Sequence, residues 1–508
     1  MATDPDKSFF GHPSGLSTLF FTEMWERFSY YGSRAILILF MTAPVAVGGL
    51  GWGVERAGPI YGTYTAAVYL MTLPGGWIAD RIMGLRRSVF WGGVLIMLGQ
   101  VCLAIPHTTT FFFPGLILIA FGTGLLKPNI SALVGQLYSE GDVRRDAGFS
   151  IYYMGINLGA FLAPLIVGWL AQGEGFQAIL RDMGLDPTQS WHYGFAFGAI
   201  GMGFGLLQYV LTANRLGDAG NAVMGSLTPE SAAEARRKLW RGTSVVVAIL
   251  VALVVLGAMG VFTLTADGFS RALDWVLVGV TVGFFVWLFA AGSWTPDETR
   301  RLIVIVVLFL GAAVFWSAFE QAGSSLNLFA QRQTDTTIFG LGFPASWFQS
   351  VNAVFIILLA PVAAWVWVRL GRRDPSSPAK FGLGLFFVAL GFAVMVLAAQ
   401  KAQSGVLVSP MWLLVTYLLH TIGELCLSPV GLSAMTKLAP ARVTGLMMGV
   451  WFLASAIGNK MAGTVAGFYE RLSLPTIFGT VTLVALFFAL VFALLVRPIK
   501  RMLQRTSG

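Results

Sequence analysis

The chain has 508 residues, of which 56 % are hydrophobic and only 11 % charged, with a mean hydropathy of +0.74, whereas an average soluble protein has about a quarter of its residues charged. This balance excludes an ordinary soluble enzyme, and the length is that of many membrane spans of about 20 residues joined by short connections. The net charge of +9 is spread over those connections and not gathered on one domain, which argues for membrane orientation and against nucleic acid.

The stretch Met1–Gly15 is polar and lacks the pattern of a signal peptide. Apolar windows then predict six spans near residues 15–43, 56–80, 88–106, 111–137, 147–171 and 191–213. Two more follow near 242–265 and 273–293, and a final six near 302–330, 345–369, 381–400, 409–436, 443–468 and 475–496. The fold class expected is an all-α membrane protein with fourteen spans. Residues 1–213 form one six-helix bundle, 214–300 a linker carrying two additional helices, and 301–508 a second six-helix bundle.

With the N-terminus in the cytoplasm, 23 of the 33 basic residues fall in cytoplasmic connections, six in external ones, and four (Arg27, Arg34, Lys127 and Lys460) inside spans. Cytoplasmic loops rich in Lys and Arg are the rule for such proteins, so both termini are placed inside. Two sets of six spans suggest an internal duplication, a plan that places a site between the halves at mid-membrane. The loop Gly75-Gly76-Trp77-Ile78-Ala79-Asp80-Arg81-Ile82-Met83-Gly84-Leu85-Arg86-Arg87 is echoed by Arg369-Leu370-Gly371-Arg372-Arg373, and the first of these resembles the signature loop of the major facilitator superfamily. Asp80 is expected to cap backbone donors or meet arginines there, as a gating residue.

The first span carries four charges, Glu23, Glu26, Arg27 and Arg34. At about 100° per residue, Glu23, Arg27, Tyr30 and Arg34 share one arc with Glu26 on its flank, and that face cannot look at lipid. Further charges lie in the fourth span (Lys127), seventh (Glu320), tenth (Glu424) and eleventh (Lys460), so that four acids face four bases. Polar and aromatic residues accompany them at helical spacing: Trp316, Glu320, Gly323 and Asn327; Tyr417, Glu424 and Ser428; Trp451, Ser455 and Asn459. Tyr69, Tyr153 and Asn157 extend the set, and together they fit a small polar ligand.

Other leads fail. Gly122-Thr123-Gly124-Leu125-Leu126-Lys127-Pro128-Asn129 mimics part of a phosphate loop but lacks the Ser or Thr after Lys and lies in an apolar helix. Cys102 and Cys426 have no metal or disulfide spacing, and His420 has no second ligand nearby, so neither metal, cofactor nor catalytic chemistry is expected.

Four blocks, in order along the chain, resemble the proton-dependent oligopeptide transporters: Glu23-Met24-Trp25-Glu26-Arg27-Phe28-Ser29-Tyr30-Tyr31, Tyr152-Tyr153-Met154-Gly155-Ile156-Asn157-Leu158-Gly159, Phe315-Trp316-Ser317-Ala318-Phe319-Glu320-Gln321 and Gly423-Glu424-Leu425-Cys426-Leu427-Ser428-Pro429. The resemblance implies a major facilitator fold with the extra helix pair of bacterial members, in the inner membrane. It also implies proton-coupled symport of di- and tripeptides by a monomeric, non-enzymatic carrier. By the same resemblance Glu424 receives the peptide ammonium, while Arg34 and Lys127, with Arg27 nearby, receive its carboxylate. Asn157, Asn327 and Asn352 bind the peptide group, Ser428 lies beside Glu424, and Tyr30, Tyr31, Tyr69, Trp316, Phe319 and Trp451 form tolerant pockets. Proton coupling falls to Glu23, Glu26, Arg27 and Lys127 and to an Arg34–Glu320 bridge that also gates. A same-fold carrier of nitrate or another small organic solute and a non-transporting peptide receptor are the alternatives, and Glu424 argues against a simple anion.

Overall fold

In a computed structural model of the chain, the residues described are 9–106, 110–139, 141–220, 237, 266–290, 292–338, 340–440, 443 and 446–504. The span expected near 242–265 lies outside them, as do Lys7, Arg236, Lys238, Arg241, Arg442 and Arg505. The first bundle comprises α1 (Gly15–Thr42), α2 (Val54–Leu70), α3 (Thr72–Ile78), α4 (Leu85–Ala104), α5 (Phe112–Gln136), α6 (Arg145–Gln172), α7 (Glu174–Asp182) and α8 (Ser190–Thr212). An accessory helix, α9 (Ala266–Ala290), precedes α10 (Pro296–Phe319), α11 (Ser325–Gln333), α12 (Gln349–Leu370), α13 (Ser377–Ala402), α14 (Met411–Leu438), α15 (Met447–Ala466) and α16 (Leu474–Gln504).

Ten helical segments among the described residues are long and apolar enough to cross a membrane. The charges of α1 and the Asn459-Lys460 pair of α15 lower the hydropathy of two further spans, and the α2–α3 pair is interrupted at Met71. The seventh span is also interrupted: α10 ends at Phe319, a 3₁₀ turn covers Glu320–Gly323, and α11 resumes at Ser325. Irregular backbone at membrane depth needs local partners. Here Gln321 donates to the Ser317 carbonyl at 3.3 Å and Ser325 Oγ to Gln321 Oε1 at 2.7 Å.

The seventh span begins six residues before its expected start. Pro296 occupies the first helical turn, Thr295 Oγ1 accepts from the Glu298 N–H at 3.2 Å, and Glu298 Oε2 accepts from the Thr295 N–H at 2.9 Å. This reciprocal cap sets the helix start ahead of the apolar run. The connections after α6 and after α11 hold two elements that hydropathy did not reveal, the amphipathic α7 and a hairpin pairing Thr337 with Gly342 and Ile338 with Leu341.

The bundles meet along α2 and α15 and again along α6 and α12. Between α2 and α15 the backbones touch: a Cβ on Gly463 would lie 2.4 Å from Gly62 Cα, and one on Gly58 would lie 2.6 Å from Gly467 N. On the second seam, Ser350 Oγ donates to the Phe161 carbonyl at 2.7 Å and Trp347 Nε1 to the Leu165 carbonyl at 3.0 Å. Gln172 meets Gln331 at 2.7 Å, Arg332 meets Glu470 at 2.7 Å, and Arg471 pairs with Glu55. These contacts gather at the end where α1 and α6 finish and α2 begins, the end that the charge bias places outside. The two bundles are closed there.

A Gly463→Val substitution is expected to lower stability by about 1–3 kcal/mol through overpacking at the α2–α15 seam. Thermal unfolding in detergent checks it, with Gly283→Val as the reference, since a Cβ at Gly283 meets none of the described residues within 4 Å.

Candidate functional site

A cavity of ≈ 190 Å³ lies between the bundles. From the first bundle Glu23, Arg27, Tyr31, Lys127, Tyr153, Ile156, Asn157 and Ala160 line it; from the second, Gln349, Asn352, Ala353, Ile356 and Glu424 do. Five separate helices (α1, α5, α6, α12 and α14) thus deliver charged or amide groups to one small space. Tyr31 stands next to Tyr30 on α1, their rings 5.2 Å apart.

On α1, Arg27 Nε lies 3.2 Å from Glu23 Oε1 and is in contact with Glu26 Oε2, all three being buried. The guanidinium also sits 5.3 Å from the Tyr30 ring and 6.0 Å from the Tyr31 ring. This is a self-contained cluster on one helix. Lys127 points into the same space with its ammonium 4.2 Å from the Tyr69 ring centroid and 5.7 Å from that of Phe452, a geometry in which ring faces help hold a cation. Among the described residues no carboxylate lies within 4.0 Å of it.

Glu424 faces these bases from α14. Asn352 Nδ2 donates to Glu424 Oε2 at 3.1 Å and to Thr421 Oγ1 at 3.0 Å, and so orients the carboxylate toward the cavity wall.

Outside the cavity, Arg34 closes onto the break in the seventh span. Its Nη2 pairs with Glu320 Oε2, and its Nε donates to Tyr61 Oη at 3.0 Å. Gly323 admits this approach, since a Cβ there would lie 1.9 Å from Tyr61 Oη and 3.0 Å from Arg34 Nε. One helical turn beyond Gly323, Asn327 donates to the Ala35 carbonyl at 2.7 Å and ties α11 to α1.

Several sequence-predicted residues therefore stand apart from the cavity. Asn327 and Arg34 belong to the inter-bundle closure and not to the cavity lining, because the helix break turns Asn327 toward α1 and brings Glu320 to Arg34. Trp316 packs edge-on against Trp451 at 6.4 Å and Phe319 at 5.4 Å, in the apolar layer beside the cavity. Tyr30 is buried under Tyr31, and Ser428 is half-buried and does not line the space. His420 lies between Phe392 and Phe319 and not against Glu424. Asp80 is exposed in the turn Ala79–Met83 and makes no hydrogen bond or ion pair with the described residues, contrary to the expected cap. The anchoring group in that loop is Arg86, whose guanidinium donates to the carbonyls of Ala219, at 2.6 Å, and Gly217.

The balance of four acids against four bases also changes. Lys460 lies on the α2–α15 seam beside Asp274, which leaves Glu23, Glu26, Glu320 and Glu424 with three central bases. Gln349 and Tyr61 were missed by sequence reasoning. Gln349 could have been found from its spacing, one turn before Asn352 in an otherwise apolar span.

The POT family profile (PTR2) matches residues 86–483. The chain belongs to the POT family. It is 42 % identical to the peptide transporter YePEPT of Yersinia enterocolitica subsp. palearctica serotype O:3 (strain YE-P4) over 100 % of this chain and 98 % of that one. It is 36 % identical to a di-/tripeptide transporter of Lactococcus lactis subsp. cremoris, over 98 % of both chains. Among solved structures, a mutant peptide transporter POT in complex with alafosfalin superposes with a TM-score of 0.87 at 42 % identity, covering 99 % of this chain and 98 % of that one. This POT-family protein is accordingly an integral membrane transporter of the major facilitator fold and not an enzyme.

At the closed end of the bundles, burial works against the charged form of Glu470, but Arg332 and the Val54 N–H outweigh it and hold the carboxyl below its ordinary 4.5. A lowered carboxyl contributes fully above its unfolded-state pKa and is lost only as pH falls through the lowered value. Glu470→Gln is therefore expected to leave the shape of the uptake–pH profile unchanged between about pH 5 and 8. Measurement of that profile in proteoliposomes checks it.

Proposed function

We propose that this protein is a proton-coupled symporter of di- and tripeptides that works by alternating access, as a monomer, in a bacterial inner membrane with both termini in the cytoplasm. The observation that carries the reading is the cavity itself, with Arg27 and Lys127 on one bundle and Glu424 on the other. A short peptide is a zwitterion, and opposed charges across a seam can hold both its ends. Glu424, held by Asn352, takes the ammonium. Lys127, with Arg27 beside it, takes the carboxylate, and Asn157, Gln349 and Asn352 offer amides to the peptide group. Tyr31, Tyr153 and Ile156 give side chains apolar surface without fixed polar demands, which supports broad selectivity. Drug-sized ligands occupy sites of roughly 300 Å³ or more, so a space of ≈ 190 Å³ favours small cargo. The names of the relatives support peptides over nitrate.

The central ionisable set supports proton coupling. Four carboxyls against three bases leave one negative charge without a counterpart, and one bound proton removes it; buried charge left uncompensated is costly. The Arg34–Glu320 pair joins the bundles at their closed end. Protonation of Glu320 releases Arg34 and loosens that closure, and deprotonation restores it. One proton crossing 100 mV yields about 2.3 kcal/mol and one pH unit about 1.4 kcal/mol, together enough for roughly 500-fold accumulation of a neutral solute.

The direct test is uptake of a labelled dipeptide into proteoliposomes with and without an inward proton gradient, beside nitrate and a free amino acid. Gradient-dependent peptide accumulation is expected, and accumulation of nitrate instead would overturn the reading. Glu424→Gln is expected to weaken uptake of peptides with a free amino end at least tenfold more than binding of end-blocked ones. Glu320→Gln is expected to abolish gradient-driven accumulation while counterflow exchange persists; the two assays run side by side separate coupling from binding.

A further inference from the structure

The accessory helix α9 is bonded to both walls of the closed α2–α15 seam. On α15, Lys460 is only 5 % exposed, and its ammonium donates to Thr63 Oγ1 of α2 at 3.0 Å and to Ser270 Oγ of α9, with Asp274 Oδ1 of α9 at 3.4 Å. Thr63 Oγ1 donates to Ser270 Oγ at 2.9 Å. Ser270 and Asp274 are four residues apart, on one face of α9. The three N–H groups of the ammonium thus have three acceptors, and among the described residues Asp274 is its carboxylate partner. Lys460 stands one turn before Gly463, where α15 touches Gly62, the residue preceding Thr63. Elsewhere α9 packs through apolar groups: Leu273 and Leu277 are buried, Phe285 packs on Phe309 at 5.0 Å, and Trp275, Val278 and Val282 are exposed. A lysine within a span needs a partner, and the partner comes from a helix outside both bundles.

We propose that Asp274 is a positioning residue of the external gate: through Lys460, and with Ser270 holding Thr63, it clamps α2 to α15, so the accessory helix sets how readily the carrier opens outward. The proposal rests on alternating access. When α2 and α15 separate, α9 follows one of them, and either the Ser270–Thr63 contact or the Asp274–Lys460 pair must break. The closed state alone holds all four groups together.

The test is pulsed electron paramagnetic resonance on the full-length carrier in lipid nanodiscs. Spin labels are placed at Arg56→Cys and Leu472→Cys, on either side of the external seam, with Cys102 and Cys426 replaced by Ala. Asp274→Asn, which keeps the side-chain shape and removes the charge, is expected to raise the ratio of long-distance to short-distance populations at least threefold. In a Lys460→Met background the same substitution is expected to change nothing further, because the clamp acts through the ammonium. Ser270→Ala, which leaves no charge alone, is expected to shift the ratio in the same direction and serves as the test should Asp274→Asn fail to fold. An unchanged ratio in the single variants, or an equal shift with Lys460 absent, would overturn the proposal. Dipeptide uptake by the unlabelled parent is run in parallel; its absence would overturn the symport reading while the distance shift still reports on the clamp.

Discussion

A charge inside the hydrocarbon layer has to be neutralised by a group it touches, and the location of that group decides whether the pairing is permanent. The Glu23, Glu26 and Arg27 cluster is carried by one helix, so it survives any rigid movement of the bundles. The Arg34–Glu320 pair is different, since its members belong to α1 and to the break after α10, and it exists only while those helices are together. Lys460 extends the same logic to the accessory helix. Removing one partner from a buried pair costs about 3–5 kcal/mol, so charge neutrality across a seam ties the protonation state to the shape of the molecule.

The cavity obeys the same constraint from the other side. Its basic residues come from the first bundle and its carboxylate–amide group of Glu424, Asn352 and Gln349 from the second. A ligand with one charge at each end completes both halves, whereas a single anion satisfies the bases and leaves Glu424 opposed to it. The seam contacts sit at one end of this space, with Ser350 and Trp347 bonded to α6 carbonyls and the glycines of α2 and α15 in backbone contact. The cavity and the closure therefore share the same helices, α6 and α12, so that under the proposed function occupancy and gate position are mechanically linked.

Much of this arrangement was legible in the sequence because burying charge in a membrane is so costly. The four charges of α1 had to face inward, the loop arginines had to lie on one side, and Glu424 and Lys127 had to meet polar space. What stayed hidden depended on contacts distant in sequence. The turn at Glu320–Gly323 interrupts a helix that hydropathy reads as continuous, and it carries Asn327 away from the cavity to the Ala35 carbonyl. Lys460 was counted with the central bases because its partner, Asp274, begins a span that looks apolar and lies nearly two hundred residues away. Asp80 is expected to cap by analogy with loop chemistry, but it stands exposed, and the nearby anchor is Arg86, the second residue of α4, which donates to the Ala219 and Gly217 carbonyls after α8.

For the proposed proton coupling, the break in the seventh span favours Glu320 over a residue of the α1 cluster. A carboxyl in the α1 cluster that accepts a proton changes the charge of one helix, with its base still alongside. A proton on Glu320 removes the charge that holds Arg34 across the seam, while Tyr61, at 3.0 Å from Arg34 Nε, remains as a neutral acceptor within the first bundle. The energy released by one proton, about 2.3 kcal/mol per 100 mV plus about 1.4 per pH unit, is of the same order as the cost of separating such a pair. A much stronger closure would not respond to a single proton, and a much weaker one would open without it. The 3₁₀ turn separates the two halves of the span, because α11 is joined to α10 by the five residues Glu320–Ser324, among which Glu320 pairs with Arg34 and Gln321 bonds Ser317 and Ser325.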